Sequence, residues 1–100
     1  MGKMFWIKIH KVGKDVVVAI CDEDLLGKEI KDREVEIKIK KEFYGKKKVG
    51  EEEVIESLRE MTIGNFFGNK IVKLLIEKKV IDKKNVMKVG GILHAQYIKL

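Results

Sequence analysis

The sequence predicts an α+β domain, a mostly antiparallel sheet with a two-helix hairpin packed on one face. Three observations carry that expectation. In the first half of the chain apolar and polar residues alternate, which is the period of half-buried strands. After Gly50 the spacing lengthens to that of amphipathic helices. No repeat, low-complexity tract or linker interrupts the 100 residues, so residues 1–100 read as one domain.

Each element has a local reason. MFWIKIHK sets Phe5, Ile7 and Ile9 on one strand face and Met4, Trp6, Lys8 and His10 on the other. VGKD turns the chain, and VVVAIC, apolar on both faces, predicts a central strand. DEDLLG reads as one helical turn, capped by Asp22 and ended by Gly27. KEI is then a short edge segment, and VEIKIK alternates with Val35, Ile37 and Ile39 inward. EFYGKKKVG reads as a loop with an aromatic pair, a glycine and three lysines. EEEVIESLREM brings Val54, Ile55, Leu58 and Met61 onto one helical face, with three glutamates in the first turn where the helix dipole favours carboxylates. Thr62 is placed to cap a second helix running to about Lys79. VMKV and ILHAQYIKL follow as strands, joined by a bend at Gly90–Gly91.

The segment EMTIGNFFGNKIVKLL is unusual for a helix, because glycine there costs about 1 kcal/mol against alanine. On a helical wheel of about 100° per residue, Gly64 and Gly68 fall within or beside the stripe of Ile63, Phe67, Ile71 and Leu74. They then read as small residues that let another backbone approach closely. Phe66 falls on the opposite, lysine-bearing side, either stapling the helix entry or free to stack on a base.

Composition narrows the function classes. The net charge of +6 favours anionic partners such as nucleic acid. Abundant Lys and Glu, no Pro and a single Gln also form the compositional signature of a hyperthermophile, which accounts for the quantity of charge but not its excess of lysine. Cys21 is the only cysteine, so no internal disulfide and no cysteine-based zinc site is expected within one chain. No apolar run approaches the roughly 20 residues that span a bilayer, and the lysine-studded start is not a signal peptide. A cytoplasmic protein without a membrane partner is expected.

FWIKIH, VAICDEDLLGK, the FYG loop, TIGNFFGN and VGGILHAQ occur in this order over nearly the whole chain. In this the sequence resembles a family of small archaeal proteins catalogued as domain of unknown function, number 424. The resemblance implies an archaeal, intracellular, single-domain protein. It brings no established activity, cofactor or catalytic residue, and it points to the FYG, GN and GG–HA segments as the family's fixed points.

The chemistry-bearing residues are few. His10 and His94 are the only histidines, and no HExxH, GxSxG or CxxC occurs. Asp22, Glu23 and Asp24 lack the spacing and glycine of a calcium loop, so no metal or cofactor is expected. After Gly90 and Gly91, His94 and Gln96 share one strand face, and with Asn65 they form a candidate ligand-binding group. The expected function is a non-catalytic RNA-binding or ribonucleoprotein-associated module. Phe43, Tyr44, Lys46, Lys47 and Lys48 of the loop, with Trp6, Lys8 and His10 of the first strand, would supply stacking and phosphate contacts. Two other classes compete with it. One is a protein–protein adaptor or homodimer burying Trp6, Phe66 or Tyr97. The other is a small-ligand binder or enzyme using Cys21, His94 and Gln96.

Overall fold

The computed structural model describes residues 2–100. Strands β1 (Phe5–Val12) and β2 (Asp15–Asp22) form the first hairpin, paired residue for residue from Phe5↔Asp22 to Val12↔Asp15. A tight helical turn at Glu23–Leu25 leads to a second hairpin, β3 (Glu29–Asp32) and β4 (Val35–Lys38). Helix α1 (Lys41–Tyr44), strand β5 (Lys47–Val49) and helix α2 (Glu51–Ser57) follow. The chain ends with β6 (Ile63–Phe67), α3 (Asn69–Glu77), β7 (Val86–Val89) and β8 (Ile92–Ile98).

Six strands form one sheet in the order β5-β1-β2-β6-β8-β7, and β3-β4 stand apart as a two-stranded sheet. Within the large sheet only β2 and β6 run parallel, so the fold is α+β with a mostly antiparallel sheet. VVVAIC is interior as expected, with β1 and β6 on either side. The KEI segment does not edge the large sheet but belongs to the separate hairpin. The final strand lies inside the sheet, between β6 and β7.

Both longer helices pack on one sheet face. Phe5, Ile7, Val18, Ile20 and Phe66 meet Val54 of α2 and Ile71, Val72 and Leu75 of α3. Full burial of a side chain of this size contributes about 1.5–3 kcal/mol. The opposite face carries a second core, in which Ala19, Cys21 and Phe67 lie against Leu25, Ile39 and Tyr44.

The two helices are not joined as a hairpin, because a strand separates them. Ile63–Phe67 is β6, and the second helix starts only at Asn69. The helical spacing read from Ile63 to Leu74 arises because a five-residue strand runs straight into a helix, with Gly68 as the only residue between. Phe66 is therefore not on a wet face. Strand alternation buries it completely in the helix-side core. Gly64 does serve close packing, since a Cβ there would lie 2.5–2.8 Å from atoms of Phe66 and Met61.

Gly68 has a different reason. Its φ of +134° lies in the region that L side chains avoid. A Cβ on it would also collide with the carboxylate of Asp22. That carboxylate does not cap the turn that follows it in sequence. It accepts instead from the backbone N–H of Lys70 at 2.9 Å and of Ile71 at 2.8 Å, capping α3 across the sheet.

Gly68→Ala and Asp22→Ala are each expected to destabilise the protein by about 1–3 kcal/mol, the first by strain and collision, the second by orphaning two N–H groups. Urea denaturation of both variants and the double mutant measures this. Because the two sites share one contact, the double mutant is expected to lose less than the sum. Additive losses would separate the two residues.

Candidate nucleic-acid interface

Directly paired residues project to the same side of a sheet, so the register arranges the non-helical face in rows. The first row is Trp6–Cys21–Phe67–His94, the second Lys8–Ala19–Asn65–Gln96 and the third His10–Val17–Ile63–Ile98. The tight turn at Glu23–Leu25, the β3-β4 hairpin and α1 cover the first row. The third row is covered only at its His10 end, by Phe43, and at its other end Ile98 is 65% exposed. The second row is the border between the two halves.

Helix α1 fixes that border. Tyr44, 6% exposed, donates its hydroxyl to Asn65 Oδ1 at 2.6 Å. Burial pushes the Tyr44 phenol well above its ordinary value, so it stays a donor. His94 Nε2 lies 3.3 Å from the same oxygen and donates to it in the Nε2–H tautomer. Asn65 Nδ2 is left without a protein partner among the described residues, beside the exposed Gln96. At the other end of the border His10 Nε2 donates to the Phe43 carbonyl at 2.8 Å. Its ring stacks on Phe43 with centroids 4.9 Å apart and an interplanar angle of 22°. Lys8 Nζ donates to the Glu42 carbonyl at 2.7 Å.

Most of the residues singled out in the sequence meet here. Trp6, Lys8, His10, Phe43, Asn65, His94 and Gln96 all lie on or along this face, although they come from four separate segments. Others do not fit their expected roles. Tyr44 is core-facing, which removes its ring from those free to stack on a base. EFYGKKKVG is not a loop but a helical turn followed by an edge strand.

The alternation of that strand splits the lysine run. Lys48, opposite Trp6, sits 5.3 Å over the indole and pairs with Glu23 at 2.8 Å. Lys47 points to the helix side and pairs with Glu53 at 2.9 Å. Lys46 is exposed and bears no salt bridge among the described residues. Gly90 and Gly91 form the β7–β8 turn, where Gly90 closes on the Lys31 carbonyl, so their role is in the fold.

The residues of the catalytic alternative are placed against that chemistry. Cys21 is fully buried, and burial, with Asp22 and Asp24 nearby, pushes its thiol up to about 12. A thiol held that high is no nucleophile at neutral pH. Phe67 also stands between Cys21 and His94 in the row, its ring 4.7 Å from the imidazole. Of the adaptor residues, Phe66 is wholly buried, whereas Trp6 and Tyr97 are partly buried against the two cores. Sequence reasoning missed the Asp22 cap and the Tyr44–Asn65–His94 bridge. Two features hinted at them: an acid at the end of the apolar central strand, and two Gly–Asn pairs bracketing two phenylalanines.

These observations define the class: a small α+β domain whose mixed sheet carries helices on one face and a half-covered polar border on the other. The chain belongs to the family described as "Protein of unknown function (DUF424)", whose model matches residues 10–100. Its fold is similar to the crystal structure of an uncharacterized conserved protein from Methanopyrus kandleri. The TM-score is 0.78 at 26% identity, covering 93% of this chain and 89% of that one. A comparison with curated proteins finds no match. No helix is long and apolar enough to cross a membrane.

Burial holds His94 below the ordinary histidine value of about 6.5. The unfolded chain takes up a proton at that ordinary value which the folded chain still refuses. The contribution to stability is therefore complete above about pH 6.5 and declines as the pH falls below it. His94→Gln is expected to flatten the fall in Tm between about pH 7 and 5, measured by thermal melts across that range. An unchanged slope would mean that His94 takes up its proton over the same pH range in the folded and the unfolded chain.

Proposed function

We propose that the half-covered sheet face binds single-stranded RNA without catalysis, as a free RNA or within a ribonucleoprotein. The observation that carries this reading is the convergence on one open border of a stacked aromatic pair, two side-chain amides and unpaired cationic reach. Phe43 with His10 offers a ring surface for a base, a contact worth about 1–3 kcal/mol. Asn65 Nδ2 and the Gln96 amide offer hydrogen bonds to base edges, the usual mode of reading an unstacked strand. Lys46 and Lys8 stand at the same end to meet phosphates, and the net charge of +6 favours the encounter. The splitting of the lysine run narrows the phosphate contacts to few, so affinity is expected to be modest and steeply dependent on salt.

Fluorescence anisotropy with a short single-stranded RNA, between about 50 and 200 mM salt, tests the reading. Lys8→Ala and Lys46→Ala are expected to lower affinity and flatten the salt slope by up to about 0.7 per phosphate contact removed. Phe43→Ala is expected to lower affinity with the slope nearly unchanged, because stacking releases few ions. Gln96→Ala should narrow any preference among base sequences without altering Tm. Absence of binding at low salt, or a Phe43→Ala variant that binds like the parent, would end this proposal.

A further inference from the structure

Strand β7 is an edge of the large sheet, with β8 as its only hydrogen-bonded neighbour. Val89 and Ile92 flank the two-residue turn at Gly90–Gly91, whose φ values of +56° and +79° are those of a hairpin turn of type I′. In such a hairpin the flanking pair is hydrogen-bonded, and alternation then turns the backbone of Val86 and Lys88 away from β8. The Val86 N–H bonds to the Lys83 carbonyl. The Val86 carbonyl and both backbone groups of Lys88 face outward, and no backbone of a described residue pairs with them.

Grooves of contrasting chemistry lie on the two sides of this edge. On the helix side a cavity of about 350 Å³ has an apolar floor of Ile76, Val86 and Leu93, rimmed by Lys73, Lys83 and Lys88 with no carboxylate in its lining. None of these three lysines forms a salt bridge with any described residue. The local sequence is equally one-sided, with seven lysines and only Glu77 and Asp82 as carboxylates between Asn69 and Lys88. On the hairpin side a groove of about 700 Å³ runs between β7 and the β3-β4 hairpin. Its apolar lining is Val35, 55% exposed, Met87, 63% exposed, Ile37 and Val89, and Asp32, Arg33, Glu34 and Lys88 supply charges of both signs around them.

From this edge and its two grooves we infer that β7 is a docking site for an extended peptide segment of another protein, with acidic and aliphatic residues in alternation. Such a segment adds a strand to the sheet, and successive side chains point to opposite faces. The acidic set then meets the Lys73, Lys83 and Lys88 rim, while the aliphatic set covers Val35 and Met87. Charge decides between occupants. A second copy pairing β7 with β7 would bring the two lysine rims together, and a lysine in an edge strand is a common guard against that event. RNA would satisfy the lysines but has no aliphatic row for the hairpin-side groove and no strand backbone for Lys88. The inference is independent of the RNA reading, which uses the border along β1, α1 and β6.

The test uses the full chain and a fluorescein-labelled peptide of about eight residues alternating valine and glutamate. Three comparators accompany it: the same peptide fully N-methylated, the same composition in two blocks, and oligouridine. The alternating peptide is expected to bind at low salt and to shift the backbone amide resonances of Val86–Lys88. N-methylation, block order, or a Lys73→Glu/Lys88→Glu variant with unchanged Tm should each weaken binding about tenfold or more. Phe43→Ala and Gln96→Ala should leave peptide binding unchanged while altering RNA binding, so the two readings fail separately. No binding at low salt, equal binding of the N-methylated peptide, or undiminished binding to the charge-reversed variant would overturn the inference. Displacement of the peptide from β7 by oligouridine would instead assign the lysine groove to nucleic acid.

Discussion

The position of one carboxylate constrains most of this fold. Asp22 ends the central strand and is 5% exposed, yet its two oxygens accept from the first free N–H groups of α3. Burial pushes its carboxyl up, and the two backbone donations oppose that shift. The helix N-terminus adds its partial positive charge at the same point. The arrangement works only if the helix can begin directly against the carboxylate, and a side chain at Gly68 would occupy the space Asp22 needs. Parallel pairing of β2 with β6 follows from the same geometry, because the C-terminal ends of both strands must converge on the start of α3. The chain between β2 and β6 then forms the crossover that a parallel pair requires, and it carries the β3-β4 hairpin, α1, β5 and α2.

That crossover explains why one sheet face is divided. α2 returns to the helix side and joins the main core, whereas the hairpin and α1 remain on the other side. A helix of four residues covers little of a six-stranded sheet, and its reach ends where Tyr44 meets Asn65. Beyond that line the face carries residues of mixed character, with His10 and Gln96 beside Val17, Ile63 and Ile98. A wholly apolar core would not need the amide of Asn65 at such a boundary. It serves there because its oxygen satisfies Tyr44 and His94 while its nitrogen takes no partner among the described residues.

The strands were largely legible because alternation is a two-residue signal that survives local accidents. β2, Phe5 and Ile7 of β1, and Ile37 with Ile39 follow their apolar pattern, whereas Ile9, 46% exposed, and Val35 at the start of β4 do not. The expected helix from Thr62 to Lys79 failed for a definable reason. Ile63, Phe67, Ile71 and Leu74 are all at least half-buried, but two belong to a strand and two to a helix. Their spacing imitates one helical stripe because Gly68 joins the elements without a loop. The glycines were the correct warning, since two in five residues contradict a helix more strongly than four spaced apolar residues support it. Of the candidate site, the residue types were visible but not the neighbours. Contacts such as His10 on Phe43, or Tyr44 on Asn65, join segments more than twenty positions apart and depend on which strand lies beside which.

Charge is distributed along the chain by the same alternation, and this decides what the surface can attract. Carboxylates concentrate at the start of α2, where they serve the helix dipole and where Glu53 also pairs with Lys47. Lysines on β5 are drawn into ion pairs on both faces of the strand, and exposed pairs of that kind contribute at most about 1 kcal/mol each. The lysines of α3, the following turn and β7 have no such partners among the described residues. The excess behind the net charge of +6 therefore lies mainly in the stretch from Asn69 to Lys88, away from the run of three lysines that first draws the eye. A tight cluster of three in sequence was divided once it formed a strand, with Lys47 and Lys48 paired on opposite faces and only Lys46 left without a carboxylate among the described residues. Of seven lysines scattered over a helix, a turn and an edge strand, Lys73, Lys83 and Lys88 instead came together around one groove. For a protein of this composition, the number of lysines in a run says less about where anions bind than the period of the element that carries them.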